Sequence, residues 1–272
     1  MLTKMSLFLL VSIGTSISWA DGNAPSTPNP PTNRVPGPKP IETSLAALTN
    51  SPIRMIEPGI FEIGKVRLDQ RKRTITLPAE LNRAQGLMEY FLVTTYGKTH
   101  ESILRTEAAP YHIHLAMLLL GASGSGNVDF PGSPANGIPG PVVHPSKETI
   151  PGDKVKIDVR WKSATGDTIR HSAEELVFRQ DTQTVMSDDS WVYNGSLIFR
   201  DRFLAQGDGS VISLVTDPVA LVNNTGPGHD NDMIWLANTN TVPPPHVPAE
   251  ITITLQRAKT SSVSADGDTR HK

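Results

Sequence analysis

Alternation of apolar and polar residues is the strongest signal in this chain. Val155-Lys156-Ile157-Asp158-Val159-Arg160-Trp161 is apolar at every odd position and charged at every even one. Ile251-Thr252-Ile253-Thr254-Leu255 repeats the pattern with threonine outside, and Arg73-Thr74-Ile75-Thr76-Leu77 is a shorter copy. A period of two gives a strand one face in a core and one in water, which favours antiparallel pairing. Phe61-Glu62-Ile63 alternates and then changes phase at Gly64 before Val66 and Leu68, which predicts a β-bulge. Leu87 to Thr95 is more continuously apolar and predicts a central strand. Short strands are expected over 191–193, 197–199, 211–214 and 233–236, and Asn194-Gly195 between the first two is a hairpin signal. Only Pro110 to Leu120 reads as helix, with proline in its first turn and Gly121 beyond its last. On a helix His112 and His114 diverge, since residues two apart are rotated by about 200°. The expected fold class is therefore α+β and β-rich, a single domain of mainly antiparallel sheet with one main helix around 110–120.

The ends of the chain carry different signals. Lys4, the apolar run Met5 to Ile17 and the small-x-small site Ser18-Trp19-Ala20 make residues 1–20 a Sec-type signal peptide. Cleavage after Ala20 is expected, which makes the mature protein periplasmic or secreted. The apolar run is shorter than the roughly 20 residues that span a bilayer, so the processed chain is not expected to be an integral membrane protein. Residues 21–50 read as a proline-rich disordered linker, with seven prolines between Asp21 and Pro40. Residues 51–258 form the expected β-rich domain, interrupted by a Gly/Pro-rich loop over 121–152, and 259–272 a polar disordered tail.

Composition removes several chemistries. The chain has no cysteine, so disulfides, thiolate nucleophiles and Cys-ligated clusters are excluded. A formal net charge of −2 argues against nucleic acid as a partner. Gly97-Lys98-Thr99 resembles the end of a phosphate-binding loop, but that motif needs a glycine where this chain has Leu92. Ser102 beside His100 lacks the nucleophile-elbow glycines of a serine hydrolase. The favoured reading is an exported cell-envelope module that binds another envelope protein and has no catalysis of its own. The alternative is a metal-binding protein or metal-assisted hydrolase, with a divalent ion held by His100 and His114 together with Asp188 or Asp189 from different elements. A weaker one is a polysaccharide binder stacking sugars on Trp161, Trp191 or Trp235.

Several phrases in fixed order carry a family resemblance. They are Gly86-Leu87-Met88-Glu89-Tyr90, Gly97-Lys98-Thr99-His100-Glu101-Ser102, His114 to Ala122, Pro151-Gly152-Asp153-Lys154-Val155, Trp191-Val192-Tyr193-Asn194-Gly195-Ser196 and Pro243-Pro244. Together they resemble the YdjY-like domain family, exported bacterial proteins of planctomycete type whose function is uncharacterised. The resemblance spans about Ile56 to Leu255. It implies export and a single domain, but no reaction. Some members carry a ferredoxin-like label, which cannot transfer as chemistry to a chain without cysteine. Carried over by motif, the positions implied as a shared binding site are His100, Glu101, His114, Trp191 and Ser196.

Overall fold

A computed structural model describes residues 41–124 and 148–257. The segments expected as signal peptide and C-terminal tail, and most of the expected linker and Gly/Pro-rich loop, lie outside these residues. A short helix α1 (Leu45–Leu48) opens the described chain, followed by four strands, β1 (Ile53–Glu57), β2 (Ile60–Ile63), β3 (Val66–Asp69) and β4 (Thr74–Leu81). Next come β5 (Tyr90–Thr94), a 3-10 turn at Thr99–Glu101, β6 (Ser102–Thr106) and helix α2 (Pro110–Leu119). The middle of the chain forms β7 (Asp153–Lys162), β8 (Thr168–Ser172), β9 (Val177–Arg179), β10 (Thr184–Val185) and β11 (Trp191–Tyr193). The last part holds β12 (Ile198–Phe199), β13 (Arg202–Phe203), α3 (Leu204–Asp208), β14 (Ser210–Ser213), β15 (Val222–Asn224), β16 (Trp235–Ala237) and β17 (Pro248–Leu255).

The three alternating segments lie side by side. β17 sits between β4 and β7, antiparallel to both, with Ile253 opposite Ile75 on one side and Ile157 on the other. All three isoleucines are buried, each contributing about 1.5–3 kcal/mol by leaving water. The sheet continues from β7 through β11, β15, β14, β5 and β6, and β6 returns to pair with β4 at Glu80 and Leu81. Eight strands thus close into a barrel. β3 bonds the same edge of β4 at its other end, through Thr74 to Thr76. There β1, β2 and β3 leave the ring as an antiparallel extension. Its free edge β1 is flanked by Pro52 and Pro58 and kinked by a register shift between Met55 and Glu57, features that discourage further strand pairing.

The barrel corrects the expected fold class in one respect. β5 pairs with β6 and β14 with β15 in parallel, so the sheet, antiparallel at its other pairings, is a closed mixed barrel rather than simple antiparallel layers. Two local expectations also change. Gly64, at φ +56, turns the chain between β2 and β3, which pair as a hairpin where a bulge was predicted. Asn194-Gly195 does not join a hairpin, because β11 pairs with β15 and β7. The Asn194 and Gly195 N–H groups instead donate to the Leu221 carbonyl (3.0 and 3.1 Å). Residues 41–50, expected as linker, belong to the described fold. Leu48 joins the core and the Leu45 N–H donates to the Asp201 carbonyl at 2.9 Å.

Helix α2 forms where its pattern placed it. Pro110 occupies its first turn and Gly121, at φ +88, its exit. The Gly121 N–H donates to Leu118 O (2.9 Å) and the Ala122 N–H to Met117 O (3.1 Å), satisfying the last carbonyls. Ile113, Ala116 and Met117 join the core, and the helix packs on β3 and β4. Among the described residues no helix is long and apolar enough to cross a membrane.

Candidate functional site

The residues named from sequence occupy separate elements. His100 lies in the 3-10 turn, exposed, its Nε2 3.5 Å from the Glu101 carboxylate. It therefore does not share a strand face with Ser102, which is buried with its hydroxyl donating to Leu104 O at 2.8 Å. Asp188 and Asp189 are exposed in the turn before β11, where Asp189 adopts φ +57. Among the described residues no three His, Asp or Glu side chains gather as a set that could hold a metal ion. His100, His114, Asp188 and Asp189 are therefore not brought together. Trp191 is 0% exposed and packs 5.9 Å from the Phe91 ring. Trp161 and Trp235 are buried as well, so none of the three tryptophans offers a stacking face for sugar. All three complete the core.

The two helical histidines diverge as helix geometry requires. His112 reaches Ser51 Oγ at 3.2 Å. His114 packs against Phe203, with ring centroids 4.8 Å apart, and its Nδ1 lies 2.7 Å from the Tyr193 hydroxyl. Burial pushes the His114 imidazole down to about 4, because the charged form would lose its hydration. With the proton on Nε2, the phenol donates to Nδ1. The unfolded chain takes up a proton near pH 6.5 and the folded one only near 4, so this stability is full above 6.5 and is lost as pH falls through about 4. The loss amounts to about 3 kcal/mol. His114→Gln, which keeps an acceptor for Tyr193, is expected to flatten that part of the profile. Urea unfolding of both proteins between pH 7 and 4 measures it, and parallel profiles would refute the assignment.

A different set of polar groups does converge, around the loop between β14 and β15. The Leu214 and Val215 N–H groups donate to Glu89 O (2.8 and 3.2 Å), and the Thr216 N–H to His229 O at 2.7 Å. Asn223 accepts from the Asp217 N–H (2.8 Å) and donates to Asp217 O (2.9 Å) and Asn194 Oδ1 (2.9 Å). Asn194 donates to Ala220 O at 2.8 Å, and Ser196 Oγ to Val219 O at 2.5 Å. Every residue from Thr216 to Ala220 except Pro218 is thus fixed at distances below 3 Å, and the Asn194 amide lies 3.4 Å from Pro218 O. Asn194, Ser196 and Asn223 are themselves buried. Buried amides are costly unless fully bonded, and here they are spent on holding one loop.

That loop presents Asp217. Its carboxylate accepts the Val219 N–H (2.9 Å) and the Tyr90 hydroxyl (2.9 Å). Tyr90 accepts in turn from Lys98 Nζ at 2.6 Å, and the ammonium also lies 4.8 Å from the Tyr90 ring centre. Lys98 Nζ stands 3.7 Å from Asp208 Oδ2, on the last residue of α3, which also accepts from Ser210. Burial raises the Asp217 carboxyl against the pull of Lys98, and burial with the Asp217 charge pushes the Tyr90 phenol well above its usual range. Glu89 beside them is raised by burial, then by Glu101 and Asp232. Lys98, Asp208 and Asp217 remain partly exposed. The result is a preformed polar cluster with one ammonium amid several carboxylates.

Of the residues named from sequence, Ser196 and Glu101 contribute here, the first by positioning the loop and the second through its charge. Glu89, Tyr90, Lys98 and Asn194 lay inside the family phrases without being named as binding-site residues. Asp208, Asp217 and Asn223 lay outside them. The one signal for the last was a buried-looking asparagine in the apolar run Leu221-Val222-Asn223.

The described fold is a closed mixed β-barrel that carries a fixed polar cluster. The YdjY domain model matches residues 66–254, and the chain belongs to the YdjY domain family. The match takes in β3 to nearly the end of β17 and every residue of the polar cluster. No curated protein and no solved structure matches the chain.

Proposed function

We propose that this is an exported cell-envelope protein, periplasmic or secreted, which binds another envelope protein through the Lys98–Asp217 cluster and has no catalysis of its own. One observation carries the reading: the 216–220 loop is fixed residue by residue, so the groups facing solvent are held ready for a ligand. None of those groups is prepared for attack. The Tyr90 phenol is raised, not lowered, and the Ser102 hydroxyl is committed to a backbone carbonyl. Carboxylates outnumber the ammonium, which suits a partner surface bearing a basic side chain.

A photo-crosslinking residue at His100 in the exported protein is expected to give one discrete adduct in the envelope, lost on Lys98→Ala. The same residue at Thr165, in the β7–β8 turn, should give none. An adduct from both positions, or one indifferent to Lys98, would refute the site. Export has its own readout: sequencing of the mature protein is expected to begin at Asp21, and a retained Met1 would count against cleavage.

A further inference from the structure

β9, β10 and β16 form a separate three-stranded sheet with β9 at its centre. One face is core: Val177, Trp235 and Ala237 are buried. The other face bears a cross-strand row, because Val185 pairs with Phe178 and Phe178 with Leu236. Phe178 and Leu236 are half-buried and Val185 is 48% exposed. This row forms the floor of a groove of about 620 Å³, within the range of small-ligand sites. At roughly 4.8 Å between strands, the floor is about 10 Å wide and runs across the strand direction.

The lining of the groove decides what it suits. Twelve residues border it and none is charged, although charged residues make up 19% of the chain. Its rim carries the amides of Gln85, Gln183, Asn238 and Asn240. Asn238 is occupied, donating to Glu175 O (2.8 Å) and accepting from the Asn240 N–H (3.3 Å), and Gln183 donates to Gln180 O (2.7 Å). The Gln85 and Asn240 amides make no hydrogen bond among the described residues. An aromatic and aliphatic floor beneath amides that both donate and accept complements a pyranose ring, with its C–H faces and rim of hydroxyls. A floor that crosses the strands cannot extend their hydrogen-bond ladder, which disfavours an added peptide strand.

We propose that this groove binds a neutral oligosaccharide, with Phe178 as the stacking residue and Gln85 and Asn240 contacting hydroxyls. This goes beyond the reading above, since it concerns another surface and does not depend on Lys98 or Asp217. The test titrates the full chain to millimolar concentration with cellohexaose, xylohexaose, chitohexaose and maltohexaose, and with an uncharged Ser/Thr-rich octapeptide, following backbone amide shifts. At least one saccharide is expected to bind saturably, shifting residues 178, 185 and 240. Phe178→Ala is expected to weaken it about tenfold. Asn240→Asp, a rim change that leaves the floor intact, is expected to weaken it with the melting temperature unchanged. Binding by the peptide alone, by no probe, or binding indifferent to both variants would overturn the proposal. Lys98→Ala should leave saccharide binding intact, so this outcome is separable from that of the crosslinking experiment.

Discussion

Gly209→Val is expected to destabilise the fold by about 3 kcal/mol or more and to separate Lys98 from Asp208. Gly209 ends α3 at φ +79, a conformation that costs a β-branched residue most. A Cβ there would lie 2.3 Å from Thr94 Oγ1 and 2.8 Å from the Gly97 Cα. Neither obstacle can yield cheaply. Thr94 belongs to β5, paired in the barrel with Thr106, and its N–H donates to Gly209 O at 2.8 Å. Gly97 is backbone and begins the turn that carries Lys98. For a domain of this size the loss corresponds to a melting temperature lower by roughly 6–12 °C. Gly97→Ala should cost less, since its Cβ would come no closer than 3.0 Å to Gly209 O and 3.1 Å to Val93 Cβ, and its φ is not positive. Thermal and urea denaturation of both variants tests the ranking. A Gly209→Val protein within 1 kcal/mol of wild type would mean that the two turns do not touch.

This pair also explains Gly97-Lys98-Thr99. It is no phosphate-binding loop. The glycine lets two turns meet backbone to backbone, and the lysine then lands beside Asp208. Local features of this kind were partly legible in the sequence. The 153–162 and 248–255 strands and α2 with its Gly121 exit follow from periodicity and caps, which depend only on near neighbours. Ring closure does not. β4 reads as a strand, but nothing in Thr74 to Leu81 says that β3 takes one end of its edge and β6 the other. β5 and β6 are joined by residues 95–101 alone, so a short connection that suggests a hairpin hides a parallel pair. The site was less legible still. Histidines and paired aspartates drew notice as chemistry, whereas the polar cluster rests on asparagines. An asparagine next to glycine signals a turn by default, and only the distant Pro218 and Ala220 carbonyls show why Asn194 is buried.

Asn223→Ala is expected to cost about 3 kcal/mol and to abolish the His100 crosslink. The side chain is 0% exposed and makes three hydrogen bonds, to Asp217 N, Asp217 O and Asn194 Oδ1. Removing it leaves those groups buried without their partner, at about 1–3 kcal/mol for each that water cannot reach. A double-mutant cycle separates this from general damage. Asn194→Ala with Asn223→Ala should cost at least about 1 kcal/mol less than the sum of the single variants, because each already breaks the bond they share. Strict additivity would mean that the two amides act independently. Asn223→Asp is the sharper functional test. It keeps an acceptor for the Asp217 N–H but removes both donors and sets a carboxylate against the Asp217 carbonyl. The loop should then lift from Asn194 while the barrel strands stay paired. A protein that is folded by far-UV circular dichroism yet has lost the His100 adduct would tie the partner to the pose of Asp217, and unchanged crosslinking would detach the polar cluster from binding.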